Sequence, residues 1–152
     1  MAKVPYTIEQ ALPHDHPMIF LDEVVDWDPE KILTAVSIRP SQPLLQKEGM
    51  PAHVAVEYMA QTCGAYVGVE ALEAGRTPRI GLLLGTRNFK ASQKWIMEGE
   101  NLLVSAAVVF REDEMGVFDC RVAKKRNDDT VATARLTVFQ PSDDVVDGPP
   151  HE

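Results

Sequence analysis

The chain reads as α+β, one antiparallel sheet wrapped around a single long central helix. Three observations carry that reading. Residues 50–75, MPAHVAVEYMAQTCGAYVGVEALEAG, hold no proline after Pro51 and are apolar or small at almost every position. After Gly75 the pattern changes to the apolar runs and alternation of strands, separated by acidic turns. Before the helix, two shorter β-like runs fit a hairpin.

The helix comes first because everything else is arranged around it. Pro51 suits a first turn, where its missing N–H costs nothing, and Gly75 suits the left-handed residue that ends a helix. At about 1.5 Å per residue the segment spans roughly 36 Å, enough to cross a small domain. A surface helix shows a narrower apolar stripe, so this one is expected to be buried nearly all round. His53, Glu57 and Gln61 stand in its first half, and a carboxyl group in such a helix needs a partner or a function.

In chain order, residues 6–12 form a short helical turn before Pro13. His14, Asp15 and His16 sit in a loop between prolines. Residues 18–27 read as a strand broken by Asp28 and Pro29, and residues 32–39 as its hairpin partner. Residues 40–49 form a loop into the helix. Residues 80–84 continue through 85–89 as one strand with a bulge at Gly85. Residues 102–112, 115–124 and 130–140 are three more strands, joined by turns at Asp113-Glu114 and at residues 126–129. About six strands are expected, four of them in meander order after the helix.

A length of 152 residues with 45% hydrophobic composition implies one domain with a proper core. That domain is assigned to residues 1–140. The acidic, Pro/Gly-rich residues 141–152 are expected to be a disordered tail. No stretch approaches about 20 uninterrupted apolar residues, so no membrane span is expected. The opening residues lack the apolar centre of a secretory signal. Cys63 and Cys120, without metal-like spacing, fit a reducing cytoplasm and read as packing thiols. His14 and His16 are two ligand types in a proline loop, too few for a metal site, and no cofactor is expected.

The net charge of −8 argues against nucleic acid as a partner. Residues 74–97 depart from this balance, with Arg76, Arg79, Arg87, Lys90 and Lys94 and no acidic residue. Such a stretch is either a solvated strand edge or a surface for an anionic partner.

Three segments carry a resemblance to a known family. LPHDHPMIFLDEVV resembles the opening Leu-Pro-His…Pro…Asp segment of the β-hydroxyacyl-acyl-carrier-protein dehydratases of fatty-acid synthesis. PAHVAVEYMAQ is similar to that family's helix start, and TRNFKASQKWIMEGENL to its Phe-Arg…Pro-Gly-Asp stretch. GMPAHVAVEYMAQ together with GLLLGTRNFK is most similar to the dehydratase-like proteins encoded with aryl-polyene biosynthesis. The resemblance runs over residues 12–140 and implies a hot-dog fold, cytoplasmic and dimeric, with an acyl carrier protein delivering the acyl thioester. There is one departure. The classical dehydratases carry a catalytic His in a loop fourteen residues before their Glu. Glu57 matches that Glu, but fourteen residues earlier stands Pro43, and residues 40–49 contain no His. Ala52 replaces the Gly of the family's Pro-Gly pair.

Dehydration of a 3-hydroxyacyl thioester needs a base for the C2 proton, an acid for the leaving hydroxyl and a donor for the thioester oxygen. Glu57 is the candidate acid, and apolar surroundings would help it keep its proton. His53, one turn earlier on the same face, is the candidate base in place of the loop His. The amides of Ala52 and His53 at the helix start form the candidate oxyanion site. Tyr58, Gln61 and Gly85 complete the candidate substrate contacts, with Gln61 also able to satisfy buried backbone. Arg87, Lys90 and Lys94 are the candidate carrier-docking residues at the pocket mouth. Two alternatives stand beside the dehydratase reading. One is a non-catalytic acyl-binding subunit that pairs with an active dehydratase, as homodimer or heterodimer. The other is a hot-dog thioesterase. A β-rich second half without edge protection favours dimerisation.

Overall fold

A computed structural model describes residues 4–13 and 18–141. The fold is α+β, a six-stranded antiparallel sheet curled around one long helix. A helical turn α1 (Ile8–Ala11) opens the chain, closed by a capping box between Thr7 and Gln10. Strands β1 (Glu23–Asp28) and β2 (Lys31–Ser37) form the expected hairpin. Asp28 Oδ1 accepts from the amides of Glu30 and Lys31 and fixes the turn. The first strand is shorter than predicted. Residues 18–20 are held by side chains instead, with Gln61 and Gln42 bonding the backbone of Met18 and Phe20, and ladder-type bonding to β2 begins at Asp22, whose amide donates to Ala35 O.

Met50 and Pro51 form a two-residue strand β3 with β5 (Trp95–Ile96). A 3-10 turn (Ala52–Val54) follows, then the long helix α2 (Ala55–Glu73). Pro51 therefore stands at the cap rather than inside the first turn. At the other end Gly75 adopts φ +75°, as its type predicts. The amide of Gly75 bonds Leu72 O at 3.1 Å and that of Arg76 bonds Ala71 O at 2.7 Å, a Schellman ending.

The remaining strands are β4 (Leu82–Ala91), β6 (Asn101–Glu112), β7 (Met115–Lys124) and β8 (Thr130–Phe139). The sheet order is β1-β2-β6-β7-β8-β4. This corrects the predicted four-strand meander: only β6, β7 and β8 run in meander order, and β4 crosses over to pair with β8. Strand β4 thereby becomes a sheet edge. A register shift between Leu83 and Gly85 marks the bulge expected there.

The sheet's concave face packs on α2. Thr34 and Thr62, both fully buried, pair hydroxyl to hydroxyl at 2.8 Å, and Thr62 also donates to Tyr58 O. Cys63 and Cys120 are free, buried thiols with sulfurs 3.6 Å apart. Burial, reinforced by the Cys120 contact, pushes the Cys63 thiol up, as an inert packing group requires. Gly68 sits under α1, where an added Cβ would come within 1.8 Å of Ala11 O.

The expectation of a helix buried nearly all round is corrected. His53 and Glu57 are exposed, and Ala60, Gln61 and Gly64 are half-buried, so one stripe of the helix is left uncovered by the chain's own atoms. No helix among the described residues is long and apolar enough to cross a membrane. The predicted His14–His16 loop and most of the 141–152 tail lie outside the described residues. Among the described residues no cluster of three or more His, Cys, Asp and Glu could hold a metal ion.

Candidate active site

The uncovered stripe begins at His53 in the 3-10 turn and follows helical spacing along α2: Glu57, then Ala60 and Gln61, then Gly64. Glu57, Ala60, Gln61, Gly64 and Val67 form one wall of a cleft of about 240 Å³. Leu12, Pro13 and Met18 form its rim, and Gly81, Leu82, Leu83 and Val138 its opposite wall. The lining is apolar apart from Glu57, Gln61, Arg79 and Gln140. The cleft thus sets one carboxylate on a helix face beside a largely apolar slot.

Several predicted site residues stand elsewhere. Tyr58 is buried, packs edge-on to Phe20 and donates to Gln42 Oε1 at 3.2 Å. One residue after Glu57, it is rotated by about 100° into the core, away from the cleft. Burial pushes its hydroxyl up, so it remains a neutral donor to the 40–49 loop. Ala52 cannot offer its amide to a substrate, because that N–H donates to Lys94 O at 3.0 Å. The next amides of the turn, His53 and Val54, are the ones helix geometry leaves without intrahelical partners. Gly85 lies on the exposed edge strand outside the cleft, and nothing would meet a Cβ there.

Gln61 lines the cleft and satisfies backbone, as its type predicts. Its Oε1 accepts from Phe20 N at 2.8 Å, and its Nε2 donates to Met18 O at 2.7 Å. Gln42 Nε2 reaches Phe20 O at 3.4 Å. Phe20 is thus held on both sides, which fixes the 18–20 segment along α2 beside Glu57.

Arg87, Lys90 and Lys94 are exposed, but none lines the cleft. Arg87 stands opposite Arg135, and Lys90 shares a shallow surface depression with Asp119 and Arg135. The cation that lines the cleft is Arg79, which precedes β4 in the same stretch. The apolar surroundings expected for Glu57 are likewise not supplied by this chain alone. Around the cleft lies exposed apolar surface instead: Met18 on the rim, with Leu82 and Leu83 on the opposite wall.

The sequence also concealed a second group. Arg111 bonds Glu70 through both guanidinium nitrogens at 3.3 and 3.0 Å and lies 5.5 Å above the Tyr66 ring. Burial is the largest single influence and opposes its charge, but the bond and charge of Glu70 together with Tyr66 outweigh it and raise the guanidinium above its ordinary value. A bulge between Val108 and Phe110 turns Arg111 onto the helix side of the sheet, which no local pattern announces.

Comparison with known proteins gives the family and the fold. A family model described as ApeP-like, ApeP dehydratase, matches residues 6–147. The 3-hydroxyacyl-acyl-carrier-protein dehydratase FabZ of Streptococcus sanguinis (strain SK36) is 26% identical over 141 residues, covering 88% of this chain and 94% of that protein. The same-named protein of Streptococcus pneumoniae (strain CGSP14) is 26% identical over 140 residues, covering 87% and 93%. Among solved structures, the dehydratase heterocomplex ApeI:P from Xenorhabdus doucetiae gives a TM-score of 0.85 at 23% identity, over 90% of this chain and 92% of that one. A hypothetical thioesterase protein with coenzyme A from Streptococcus pneumoniae TIGR4 gives 0.63 at 13% identity, over 79% and 85%. At these identities the two structural matches establish the hot-dog fold.

Proposed function

The chain belongs to the ApeP-like dehydratase family, and from that premise we propose that it acts on 3-hydroxyacyl thioesters delivered by an acyl carrier protein. The reaction removes water across C2 and C3. A base takes the C2 proton, the C2–H electrons form the C2=C3 double bond, and the C3–O bond breaks as an acid protonates the departing hydroxyl. Glu57 is the acid in this reading and His53 the base. The amides at the start of the helix receive the thioester oxygen as charge builds on it. The observation that carries the reading is Glu57 on the uncovered stripe of α2, at one wall of an apolar cleft and one turn from His53.

The active form is an assembly of two hot-dog subunits, homodimeric or heterodimeric. The same stripe, the free edge of β4 and exposed Leu82, Leu83 and Leu84 form one continuous face that water should not occupy during the reaction. The second subunit would desolvate Glu57. The acidic carrier meets the cations of the 74–97 stretch, including Arg87, Lys90 and Lys94 on and just beyond β4, which locally reverse the chain's net charge of −8.

A second reading has a specific observation in its favour. With no His in residues 40–49 and with Glu57 exposed, the chain is also suited to a non-catalytic acyl-binding subunit beside an active dehydratase. The test is turnover of a 3-hydroxyacyl thioester by the chain alone, following enoyl formation and thiol release together. Enoyl formation supports the dehydratase. Thiol release without it makes the protein a thioesterase. Neither product, with binding retained, supports the partner-subunit reading.

A further inference from the structure

Cys63 and Cys120 form a pair across the two layers of the fold. Cys63 stands on α2 and Cys120 on β7, 57 residues apart in sequence, yet their sulfurs lie 3.6 Å from each other. The chain has no other cysteine. Thr62, the residue before Cys63, makes the corresponding contact with Thr34 on β2. Consecutive residues of the helix thus grip two different strands, one through hydroxyls and the other through thiols.

The sheet leaves room around these sulfurs. Cys120 is paired in register with Ala106 on β6 and with Ala134 on β8. Residues directly opposite one another share a face, so a methyl group flanks Cys120 on each side and no large side chain crowds it in the ladder. A disulfide needs an S–S distance of about 2.05 Å, so the sulfurs must close by about 1.5 Å. That is a fraction of the sweep of a thiol between its staggered rotamers. The two residues also differ in access. Cys63 is fully buried, and burial with the Cys120 contact keeps its proton on; Cys120 is 4% exposed and borders the shallow depression that holds Lys90 and Arg135. Cys120 is the one a small neutral reagent meets first. The burial that keeps Cys63 inert toward outside reagents leaves it one sulfur to react with.

We propose that this pair is a modification site, at which a two-electron oxidant of the hydrogen peroxide class joins Cys63 to Cys120 in a disulfide that staples α2 to β7. Peroxide transfers one oxygen to the Cys120 sulfur, giving a sulfenic acid and one water. The Cys63 sulfur then attacks the Cys120 sulfur, the S–O bond breaks, and the Cys63 proton leaves with the hydroxyl as a second water. The two thiols together lose two electrons and two protons, and both peroxide oxygens end as water. A small dithiol reverses the step. Cys63 lies on the turn of α2 that carries Gln61 and Gly64, so the oxidised chain holds the helix wall of the Glu57 cleft to the sheet. The inference does not depend on which reaction that cleft supports.

The test treats the full chain, reduced and folded, with hydrogen peroxide, then blocks remaining thiols in denaturant and digests without reductant. Exposed Met18 and Met97 also take up oxygen, so the readouts are the thiol count and the joined peptide carrying residues 63 and 120, not the intact mass. Both thiols should be lost, the joined peptide should appear, and dithiothreitol should restore the thiols. The oxidised chain should melt roughly 5–15 °C higher than after dithiothreitol, which opens the disulfide and leaves methionine sulfoxide in place; this is the scale of a cross-link closing a long loop. Cys120→Ala should keep Cys63 as a free thiol under peroxide; should that variant fail to fold, the wild-type thiol count and peptide map decide alone. Retention of both thiols at peroxide levels that oxidise Met18 and Met97 overturns the proposal. So does oxidation to sulfinic acid without a joined peptide, or cross-linking between chains. A joined pair with an unchanged melting temperature overturns the staple.

Discussion

Gln61 grips the backbone of Phe20, its Oε1 accepting from the Phe20 amide at 2.8 Å while its Nε2 donates to Met18 O at 2.7 Å. Glu57 stands one turn before Gln61 on the same stripe, so the residue beside the candidate acid also builds the cleft wall. Gln61→Leu should leave two backbone groups without their partner and cost about 1–3 kcal/mol of stability. Urea denaturation measures this, and KM for an acyl thioester should rise more than kcat falls, because the wall is loosened rather than the chemistry removed.

Gly68 and α1 make a harsher test of packing. A Cβ at Gly68 would overlap Ala11 O at 1.8 Å, and that atom is backbone. Gly68→Ala should therefore cost about 3 kcal/mol or more, the upper end for overpacking. Gly64→Ala meets only the end of Leu12 at 3.2 Å and should cost much less. Thermal melts of the two variants side by side give the comparison.

The free edge of β4 predicts association. Leu82, Leu83 and Leu84 are all exposed on a strand with no neighbour on one side. Light scattering at micromolar concentration should give at least twice the chain mass, and Leu83→Lys should lower it toward one chain. A wild-type monomer would remove the assembly from the account.

Acid sensitivity has a defined sign at Asp119. The Arg135 hydrogen bond, the largest influence, holds its carboxyl below the ordinary carboxylate value. A group lowered on folding adds stability above its unfolded pKa and loses it as pH falls through the folded one. Asp119→Asn should thus flatten the stability profile only in the acid range below the ordinary carboxylate value, and solvent exposure keeps the effect small. Denaturation midpoints at neutral and acid pH test it.

Carrier docking predicts a salt signature. Charge reversal at Arg87, Lys90 and Lys94 should slow turnover of carrier-bound substrate and leave a small thioester nearly unaffected, with the difference fading as salt rises. Equal losses on both substrates would assign these residues to folding or to the site.

The ends of the long helix were legible because Pro51 and Gly75 act through local backbone chemistry. The β7 strand was legible to the residue, since its inward and outward positions alternate cleanly. The crossover of β4 was not, because pairing between β4 and β8 depends on closure of the whole sheet and has no local signal. The uncovered face of α2 was hidden by its many small residues: alanine and glycine are equally at home on either side, so composition suggested burial all round. Polar spacing held the answer, with His53, Glu57, Gln61 and Gly64 on one stripe and Tyr58 turned off it. Arg111 could not be found from sequence, since a bulge in β6 decides which side of the sheet it faces.

The central claim is that Glu57 performs proton transfer in dehydration. The direct measurement is enoyl formation from a carrier-bound 3-hydroxyacyl thioester by wild type, Glu57→Gln and His53→Ala, with circular dichroism confirming each fold. The account predicts that Glu57→Gln loses turnover by about 100-fold or more, the scale of general acid catalysis, and that His53→Ala falls comparably as the base. Loss in Glu57→Gln alone would move the base to another residue or to the second subunit. Folded Glu57→Gln turning over within a few-fold of wild type would contradict the claim.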